Sequence, residues 1–232
     1  MSFNSPRCSF RALAVLSSLA PVCAVDTVLL ESTPPAAATA LVPSLTNGGA
    51  ALTLADWTLV ADPPNVANWI SGTTGVGYEN SPGSTTSYSS LLGLDLLAVM
   101  RDNNETAYIR VPFSASEAVI GSTKGLTLEM KYDDGFIAYL NGVQLLSANP
   151  PAGIPNFQSG ASDNQADQGA LDGESFEITP FIGNLKVGEN MLAIHGLNRG
   201  AGSSDFLIVP RLIRSEERRG GKECRSRWSP YH

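Results

Sequence analysis

The segment FIAYLNGVQLL, residues 136–146, decides the fold of this chain. Two apolar runs flank an Asn-Gly pair, which is the pair preferred in two-residue type I′ turns of β-hairpins. Successive side chains of a strand point to opposite faces of the sheet, so Phe136 and Tyr139 are expected on different faces. We therefore predict an antiparallel hairpin whose turn is formed by Asn141 and Gly142.

Similar short apolar stretches, separated by turn residues, recur through residues 51–214. In residues 126–132 apolar side chains alternate with Thr, Glu and Lys, a pattern typical of an antiparallel sheet with one buried face. Eight short strands in one domain predict the all-β class, with an antiparallel two-sheet β-sandwich or jelly roll. The predicted strands are Leu52 to Val60, Ala107 to Phe113, Leu126 to Tyr132, Phe136 to Leu140, Val143 to Ser147, Ser175 to Ile178, Asn190 to Leu197 and Phe206 to Leu212.

The charge distribution argues against one class of partner. The whole chain has a formal net charge of -7. Residues 25–214 hold 8 basic and 19 acidic side chains, so this part alone carries -11. Proteins bind nucleic acid by neutralising its phosphates with Lys and Arg. This chain is negatively charged, as nucleic acid is, so the two would repel. We therefore expect no nucleic-acid partner.

The N-terminal segment, residues 1–24, predicts a secretory signal peptide. Arg7 and Arg11 precede an apolar run over residues 12–20, and small residues suited to cleavage follow it. The run is too short to span a membrane, so no membrane span is expected. A buried N-terminal helix and a lipid anchor at Cys23 are the alternatives. The signal predicts a secreted or cell-surface protein.

Two further segments differ in composition from the body of the chain. Residues 25–50 are rich in Pro, Ala and Thr, which predicts a leader or linker before a β-sandwich module at 51–214. In residues 215–232, 8 of 18 side chains are charged, against 27 of the preceding 190. This tail resembles translated cloning-vector read-through, which predicts a non-native extension. A functional basic tail that binds an anionic surface is the alternative.

Several segments of the body resemble a module of large secreted bacterial proteins, which often carry it beside spore-coat-H-like kinase or lamin-tail domains. The resemblance extends over about residues 57–212 and implies a galactose-binding-like β-sandwich, akin to the jelly-roll domain that precedes the barrel of many glycoside hydrolases. It also implies that the module is an accessory part of a longer parent protein, whose other domains are its partners. The segments are KYDDGFIAYLNGV (131–143), LKVGENMLAIHGLN (185–198), SSDFL (203–207), GVGYEN (75–80) and AYIRVPF (107–113).

The residue types of the body argue against catalysis. Residues 25–214 contain no cysteine, which excludes disulfides, thiolate metal sites and a cysteine nucleophile there. The single histidine of this part, His195, stands in an apolar strand, where a hydrogen-bonded structural role is more common. Asp133 and Asp134 are adjacent, so in an extended chain they point apart and favour a turn over a catalytic pair. We predict that the chain is not an enzyme.

An acidic stretch of the sequence predicts a metal site. Asp163, Asp167, Asp172 and Glu174 fall within one loop, and Ca²⁺ prefers six to eight oxygen ligands. Their spacing differs from that of an EF-hand. We predict a structural calcium site at these four residues, with a solvated and flexible acidic loop as the alternative.

Recognition of a sugar requires aromatic surfaces and a few fixed polar groups. Among the available residues, which also include Trp57, Tyr88, Tyr139 and Phe157, most are expected in the core. The sequence predicts Trp69 and Tyr78 as exposed aromatics, because Gly and Ser surround them, together with Asn198 and Arg199 as polar partners.

Two classes of function remain from the sequence. The first is a secreted non-catalytic binding module that recognises an extracellular polysaccharide or glycoconjugate. The alternative is a structural spacer of a cell-surface or matrix protein that binds no small ligand. Exposed aromatics beside a polar groove favour the first, whereas a surface without a concavity favours the second.

Overall fold

The computed structural model describes residues 22–31, 34–81 and 83–219, and this part of the chain is built from strands. The main unit comprises Ala24–Glu217. The strands are β1 (Val22–Leu30), β2 (Ala37–Leu41), β3 (Ile70–Thr73), β4 (Val76–Glu79), β5 (Leu94–Asp95), β6 (Thr106–Ala115), β7 (Thr123–Asp133), β8 (Gly135–Leu140), β9 (Val143–Ala148), β10 (Glu174–Glu177), β11 (Gly188–Leu197) and β12 (Asp205–Arg219).

The helices of the described part are all short. The α-helices are α1 (Leu54–Trp57), α2 (Leu97–Met100), α3 (Glu117–Ser122) and α4 (Asp167–Asp172). The 3₁₀ turns are Gly49–Ala51, Val66–Asn68, Ser89–Leu91 and Thr179–Asn184. Among the described residues no helix has the length and apolar character needed to cross a membrane.

The strands form two sheets of six. One has the order β10-β7-β12-β4-β5, with β1 also paired to β12, and the other has the order β3-β2-β6-β11-β8-β9. The β4–β5 pair is parallel, and the other pairs with a described register are antiparallel. This architecture confirms the predicted all-β sandwich.

The main core lies between the sheets and draws on alternate positions of their strands. Phe136 and Leu140 of β8 and Ile109 of β6 bury their side chains with Leu128 of β7 and Ile208 of β12. Burial of a large apolar side chain contributes about 1.5–3 kcal/mol, so this layer supplies much of the folding free energy.

The β3-β2-β6-β11-β8-β9 sheet is apolar on its other face as well. Tyr108, Ile137, Tyr139 and Ala193 point away from the main core and form a second buried cluster with Trp57. A sheet face of this kind needs a cover, because exposed apolar area costs free energy. Residues 41–69 contribute side chains to this cluster.

The predicted hairpin is present. Leu140 pairs with Val143, and the two intervening residues, Asn141 and Gly142, have positive φ angles of 50° and 89°. A positive φ at both central positions is the requirement of a type I′ turn. The Asn141 amide nitrogen also donates to the Asn184 carbonyl oxygen and to Asn190 Oδ1, each at 2.8 Å.

Two segments differ from the sequence prediction. Residues 52–60, expected as a strand, contain α1, because Thr53 and Asp56 cap the start of a helix there. Residues 25–50, expected as a leader or linker, contribute β2 and most of β1 to the sheets. Ala38 and Ala40 of β2 are buried in the main core. Amino-acid composition alone does not predict this strand, because alanine is also common in linkers.

The predicted terminal segments extend beyond the described residues. The signal-peptide prediction concerns residues 1–24, of which only the last three are described, at the start of β1. At the other end β12 continues past Arg214, since Ser215 pairs with Gly125. The remainder of the predicted tail, from residue 220, lies outside the described part.

Candidate functional site

A concave site, here called the aromatic recess, opens on the outer face of the β3-β2-β6-β11-β8-β9 sheet. Four rings contribute to its floor: Trp57 of α1, Tyr108 of β6, Tyr139 of β8 and His195 of β11. Tyr108 and His195 are direct cross-strand partners. Because β11 lies between β6 and β8, three neighbouring strands bring these side chains together.

The rings of the floor pack against one another. Trp57 stacks on Tyr108 with centroids 4.5 Å apart and planes inclined by 11°. It meets Tyr139 edge-on at 5.7 Å, and Tyr108 meets His195 edge-on at 5.0 Å. Each ring is at most 4% exposed, and such aromatic pairs contribute about 0.5–1.5 kcal/mol beyond burial. The floor is therefore held in a single arrangement before any ligand arrives.

The segment that carries Trp57 is fixed on both sides. Before it, the Thr53 backbone N–H donates to Asp56 Oδ2 at 2.7 Å and caps α1. After it, the buried guanidinium of Arg110 donates through Nη2 to three successive carbonyl oxygens, those of Leu59, Val60 and Ala61 at 2.9, 3.1 and 2.7 Å. These bonds hold the Trp57 ring over the sheet.

The polar groups of the aromatic recess are uncharged. Among the described residues, the hydroxyls of Tyr108 and Tyr139 have no hydrogen-bond partner. Burial raises the pKa of Tyr108 to about 12 and lowers the pKa of His195 to about 3, so both rings stay neutral across physiological pH. His195 Nε2 lies 3.2 Å from Thr106 Oγ1. The recess thus presents free, neutral hydroxyls beside apolar ring edges.

The size and rim of the aromatic recess suit a small ligand. Its volume is about 330 Å³, within the range of about 300–1,000 Å³ of small-molecule sites. Ile154 on its rim is 90% exposed, and Leu54 is also exposed. The side-chain amides of Gln144 and Asn156 line the same opening. Apolar and amide groups therefore surround the aromatic floor.

A second site, here called the carboxylate cluster, consists of Asp133, Asp167 and Asp205. One carboxylate oxygen of each lies within 4.8 Å of the others. Asp133 ends β7, Asp167 begins α4 and Asp205 begins β12, so three elements converge. Each carboxylate accepts a hydrogen bond from a hydroxyl: Asp133 from Tyr88 at 2.6 Å, Asp167 from Thr86 at 2.9 Å and Asp205 from Ser203 at 3.3 Å. This arrangement can hold a metal ion.

The electrostatics of the carboxylate cluster reflect burial first and repulsion between neighbouring carboxylates second. Burial, and then a hydrogen bond with the Asp134 carboxyl, hold the pKa of Asp133 well above its usual range. Burial and the charges of Asp167 and Glu79 also raise the pKa of Asp205. Among the described ion pairs none involves a member of the cluster. A divalent cation would relieve this repulsion.

The four residues predicted as calcium ligands do not converge. Asp163 is 80% exposed and forms an ion pair with Arg199 at 3.6 Å. Asp172 accepts a hydrogen bond from the Gln168 amide, and Glu174 accepts one from the Tyr132 hydroxyl. The cause is local structure: α4 separates Asp167 from Asp172, and Glu174 enters β10. Only Asp167 belongs to the carboxylate cluster, so the predicted ligand set is corrected.

Three of the four residues predicted to bind a sugar are buried. Trp69 is 8% exposed, with its indole N–H donating to Asn65 Oδ1, and Tyr78 is fully buried. The Asn198 amide donates to the Tyr78 hydroxyl at 3.1 Å and to the Asp205 carbonyl oxygen at 2.9 Å, and therefore has a bracing role. Arg199 alone is accessible, beside the carboxylate cluster. The predicted exposure of Trp69 and Tyr78 was wrong.

The aromatic recess was not predicted from the sequence. Trp57, Tyr139 and Phe157 were expected to pack in the core, and His195 was expected to have a structural role. One signal was available. Strands β6, β8 and β11 are apolar at both odd and even positions, which indicates a sheet face covered by another aromatic segment.

Comparison with known protein families and with curated proteins finds no match. Among solved structures, the chain is similar to a glycosyl hydrolase family 2 member from Bacteroides cellulosilyticus, with 11% identity, 82% of this chain and 20% of that chain covered, and a TM-score of 0.43. It is similar to Bacteroides uniformis β-glucuronidase 2, with 14% identity, coverage of 83% and 18%, and a TM-score of 0.44. It is also similar to an uncultured Clostridium sp. β-glucuronidase, with 10% identity, 89% of this chain and 31% of that chain covered, and a TM-score of 0.42. The chain spans 18–31% of these enzymes.

Proposed function

We propose that this chain is a non-catalytic binding module that holds a carbohydrate in the aromatic recess. The observation that carries the proposal is the rigid aromatic floor with two free hydroxyls, those of Tyr108 and Tyr139. The module serves as an accessory part of a larger secreted or cell-surface protein, with the galactose-binding-like form of the sandwich.

The chemistry of the aromatic recess matches that of a sugar. A sugar ring has apolar C–H groups, which contact aromatic and aliphatic carbons, and hydroxyls, which both donate and accept hydrogen bonds. Tyr108 and Tyr139 offer hydroxyls with the same capacity, and Gln144 and Asn156 offer amides. A ligand that hydrogen-bonds to these hydroxyls binds more favourably than one that merely covers them, because a hydroxyl buried without a partner is costly.

The absence of acid groups from the aromatic recess supports a binding role over hydrolysis. Most glycosidases place two carboxyl groups on either side of the scissile bond. The described residues that line the recess include no Asp and no Glu. Within the described part of the chain, the three carboxylates that converge form the carboxylate cluster instead, where Asp133 is 3% exposed.

The test is glycan binding by the purified chain, first on a glycan array and then by titration calorimetry. Tyr108→Phe and Tyr139→Phe each remove one hydroxyl and keep the ring. We expect each to weaken binding about 5- to 10-fold, as for loss of one hydrogen bond of about 1 kcal/mol. Tyr132→Phe is the matched control, because that hydroxyl bonds Glu174 on the other sheet.

The outcome separates the two classes of function. Glycan binding that both recess variants weaken, and that Tyr132→Phe leaves unchanged, supports the binding module. A chain that binds no glycan on the array fits the structural spacer instead. Binding that is insensitive to both recess variants places the ligand elsewhere on the surface and contradicts the proposed site.

We also propose that the carboxylate cluster binds Ca²⁺, on the observation that three carboxylates converge without a basic partner among the described residues. Binding to the folded state alone stabilises it by about 2.7 kcal/mol at a hundredfold excess over Kd. For a domain of this size the melting temperature then rises by about 5–10 °C. The measurement compares thermal melts in CaCl₂, MgCl₂ and chelator. Identical melts in calcium and chelator contradict the calcium site.

A further inference from the structure

A second concavity adjoins the aromatic recess. This side recess has a volume of about 430 Å³, and its lining includes Leu45, Asn103, Glu105 and Gln158. Phe157 lines both recesses. The two concavities are therefore neighbours on one surface, with Phe157 at their common boundary.

The boundary between the recesses is built by a fixed turn. The Ser159 backbone N–H donates to the Asn156 carbonyl oxygen at 3.1 Å, and the Asn156 backbone N–H donates to Ser159 Oγ at 2.9 Å. The Asn104 amide donates to the Phe157 carbonyl oxygen at 2.9 Å and to the Pro43 carbonyl oxygen at 2.7 Å. Asn104 thus joins the two walls of the side recess. The boundary at Phe157, here called the Phe157 ridge, is thereby held in place.

The side chains that flank the ridge divide between the recesses. Asn156 lines the aromatic recess and Gln158 lines the side recess. Each recess is therefore lined by an amide residue adjacent in sequence to Phe157, which both recesses share. An amide beside an apolar ring is a suitable contact for one sugar unit, and here the arrangement occurs twice in succession.

The charge of both linings selects among sugars. No Lys or Arg is present among the described residues that line either recess, and Glu105 is the one acidic residue there. His195 is neutral because burial lowers its pKa to about 3. A uronate or sulfated sugar would meet a like charge at Glu105 and no cation, so a neutral glycan is favoured.

We propose that the two recesses are consecutive subsites for one neutral oligosaccharide of at least two rings, which crosses the Phe157 ridge. This inference rests on the proposed function and adds the charge and length of the ligand. Each recess lies in the lower part of the size range of small-molecule sites, so a longer ligand fills the pair better than a single ring.

The test is titration calorimetry of the purified chain with cello-, xylo- and manno-oligosaccharides of one to six residues, and with oligogalacturonides of the same lengths. We expect one neutral series to bind with an affinity that rises at least tenfold from one to three residues and then levels off. Oligogalacturonides of equal length should bind at least tenfold more weakly.

Three variants locate the length dependence. Gln158→Ala should weaken binding of the trisaccharide and leave that of the monosaccharide unchanged, whereas Tyr139→Phe should weaken both. Phe157→Ala should reduce the gain with length. Gln168→Ala, an exposed glutamine of α4, is the control and should change neither. Thermal melts confirm that each variant is folded.

The possible failures are distinct. Equal affinity for one and three residues, with no effect of Gln158→Ala, overturns the two-subsite inference and leaves the binding module standing. Tighter binding of oligogalacturonides overturns the neutral-ligand assignment in the same way. If no sugar of any series binds, both the inference and the proposed function are overturned.

Discussion

The aromatic recess and the carboxylate cluster are two ways to build a concave site on one sandwich. The recess uses neighbouring strands and stacked rings, and it is neutral. The cluster uses the ends of β7, β12 and α4, and it concentrates like charges. Ring packing and hydrogen bonds stabilise the first, whereas protonation or a bound cation would stabilise the second. The recess is thus formed by packing across neighbouring strands, whereas the cluster depends on where strand and helix ends converge.

The largest expected effect concerns the stability of the recess. Trp57→Ala removes the ring that stacks on Tyr108 and should lower the free energy of unfolding by about 3–5 kcal/mol. Leu54→Ala in the same helix is the control, because Leu54 is exposed and such changes cost about 0.5 kcal/mol or less. Urea denaturation measures both. Equal effects of the two variants would show that the recess floor does not depend on packing.

A smaller effect is expected at the carboxylate cluster, and only with calcium present. Asp167→Asn should remove most of the stabilisation by calcium, about 2.7 kcal/mol at a hundredfold excess over Kd. Asp163→Asn should keep it, since Asp163 is exposed and outside the cluster. Thermal melts with and without CaCl₂ decide the matter. The opposite ranking of the two variants would favour the ligand set predicted from the acidic loop.

Acid should affect the recess through His195. Burial lowers its folded pKa to about 3, below the ordinary 6.5, so between these values the unfolded chain binds the proton and stability falls as pH decreases. At about 1.4 kcal/mol per pH unit below 6.5, the free energy of unfolding at pH 5 is about 2 kcal/mol lower than at pH 8. His195→Gln should remove this part of the pH dependence. Denaturation at pH 5 and pH 8 tests it, and parallel profiles of variant and parent would refute it.

Alkali should affect the carboxylate cluster in the opposite sense. The pKa of Asp133 is raised by burial, so the folded chain holds a proton that the unfolded chain releases above about pH 4. Stability is therefore lost as pH rises toward the raised value. Asp133→Asn, in chelator, should flatten this decline, because an amide replaces the protonated carboxyl. A steeper decline in the variant would contradict the assigned protonation.

The sequence reveals the strands whose pattern is local. Residues 126–132 and 136–146 are found at the expected positions, because alternation and an Asn-Gly turn act over neighbouring residues. Strand β2, AATAL, was not predicted, because alanine has little preference for strands. The burial of β2 also depends on pairing with β6, which is distant in the sequence.

The sites are harder to predict because they depend on contacts that are distant in the sequence. Asp163 to Glu174 are close along the chain, but Asp133 and Asp205 reach Asp167 only through the sheet order. Likewise, Tyr108 and His195 meet through strand register. Of the predicted site residues, Asp167 and Arg199 line the concavity beside the carboxylate cluster, whereas Asp172 and Glu174 line a different one.

The amide network of the hairpin has a consequence for chemical ageing. Asn-Gly pairs deamidate when the glycine nitrogen attacks the asparagine side-chain carbonyl, a step that requires the side chain to swing toward the backbone. Here the Asn141 amide nitrogen donates to Asn184 and Asn190, and its oxygen accepts the Met191 backbone N–H at 2.9 Å. Folding therefore protects one of the two Asn-Gly bonds of the sequence from isoaspartate formation, and the rate of this damage at Asn141 should report how often the hairpin opens.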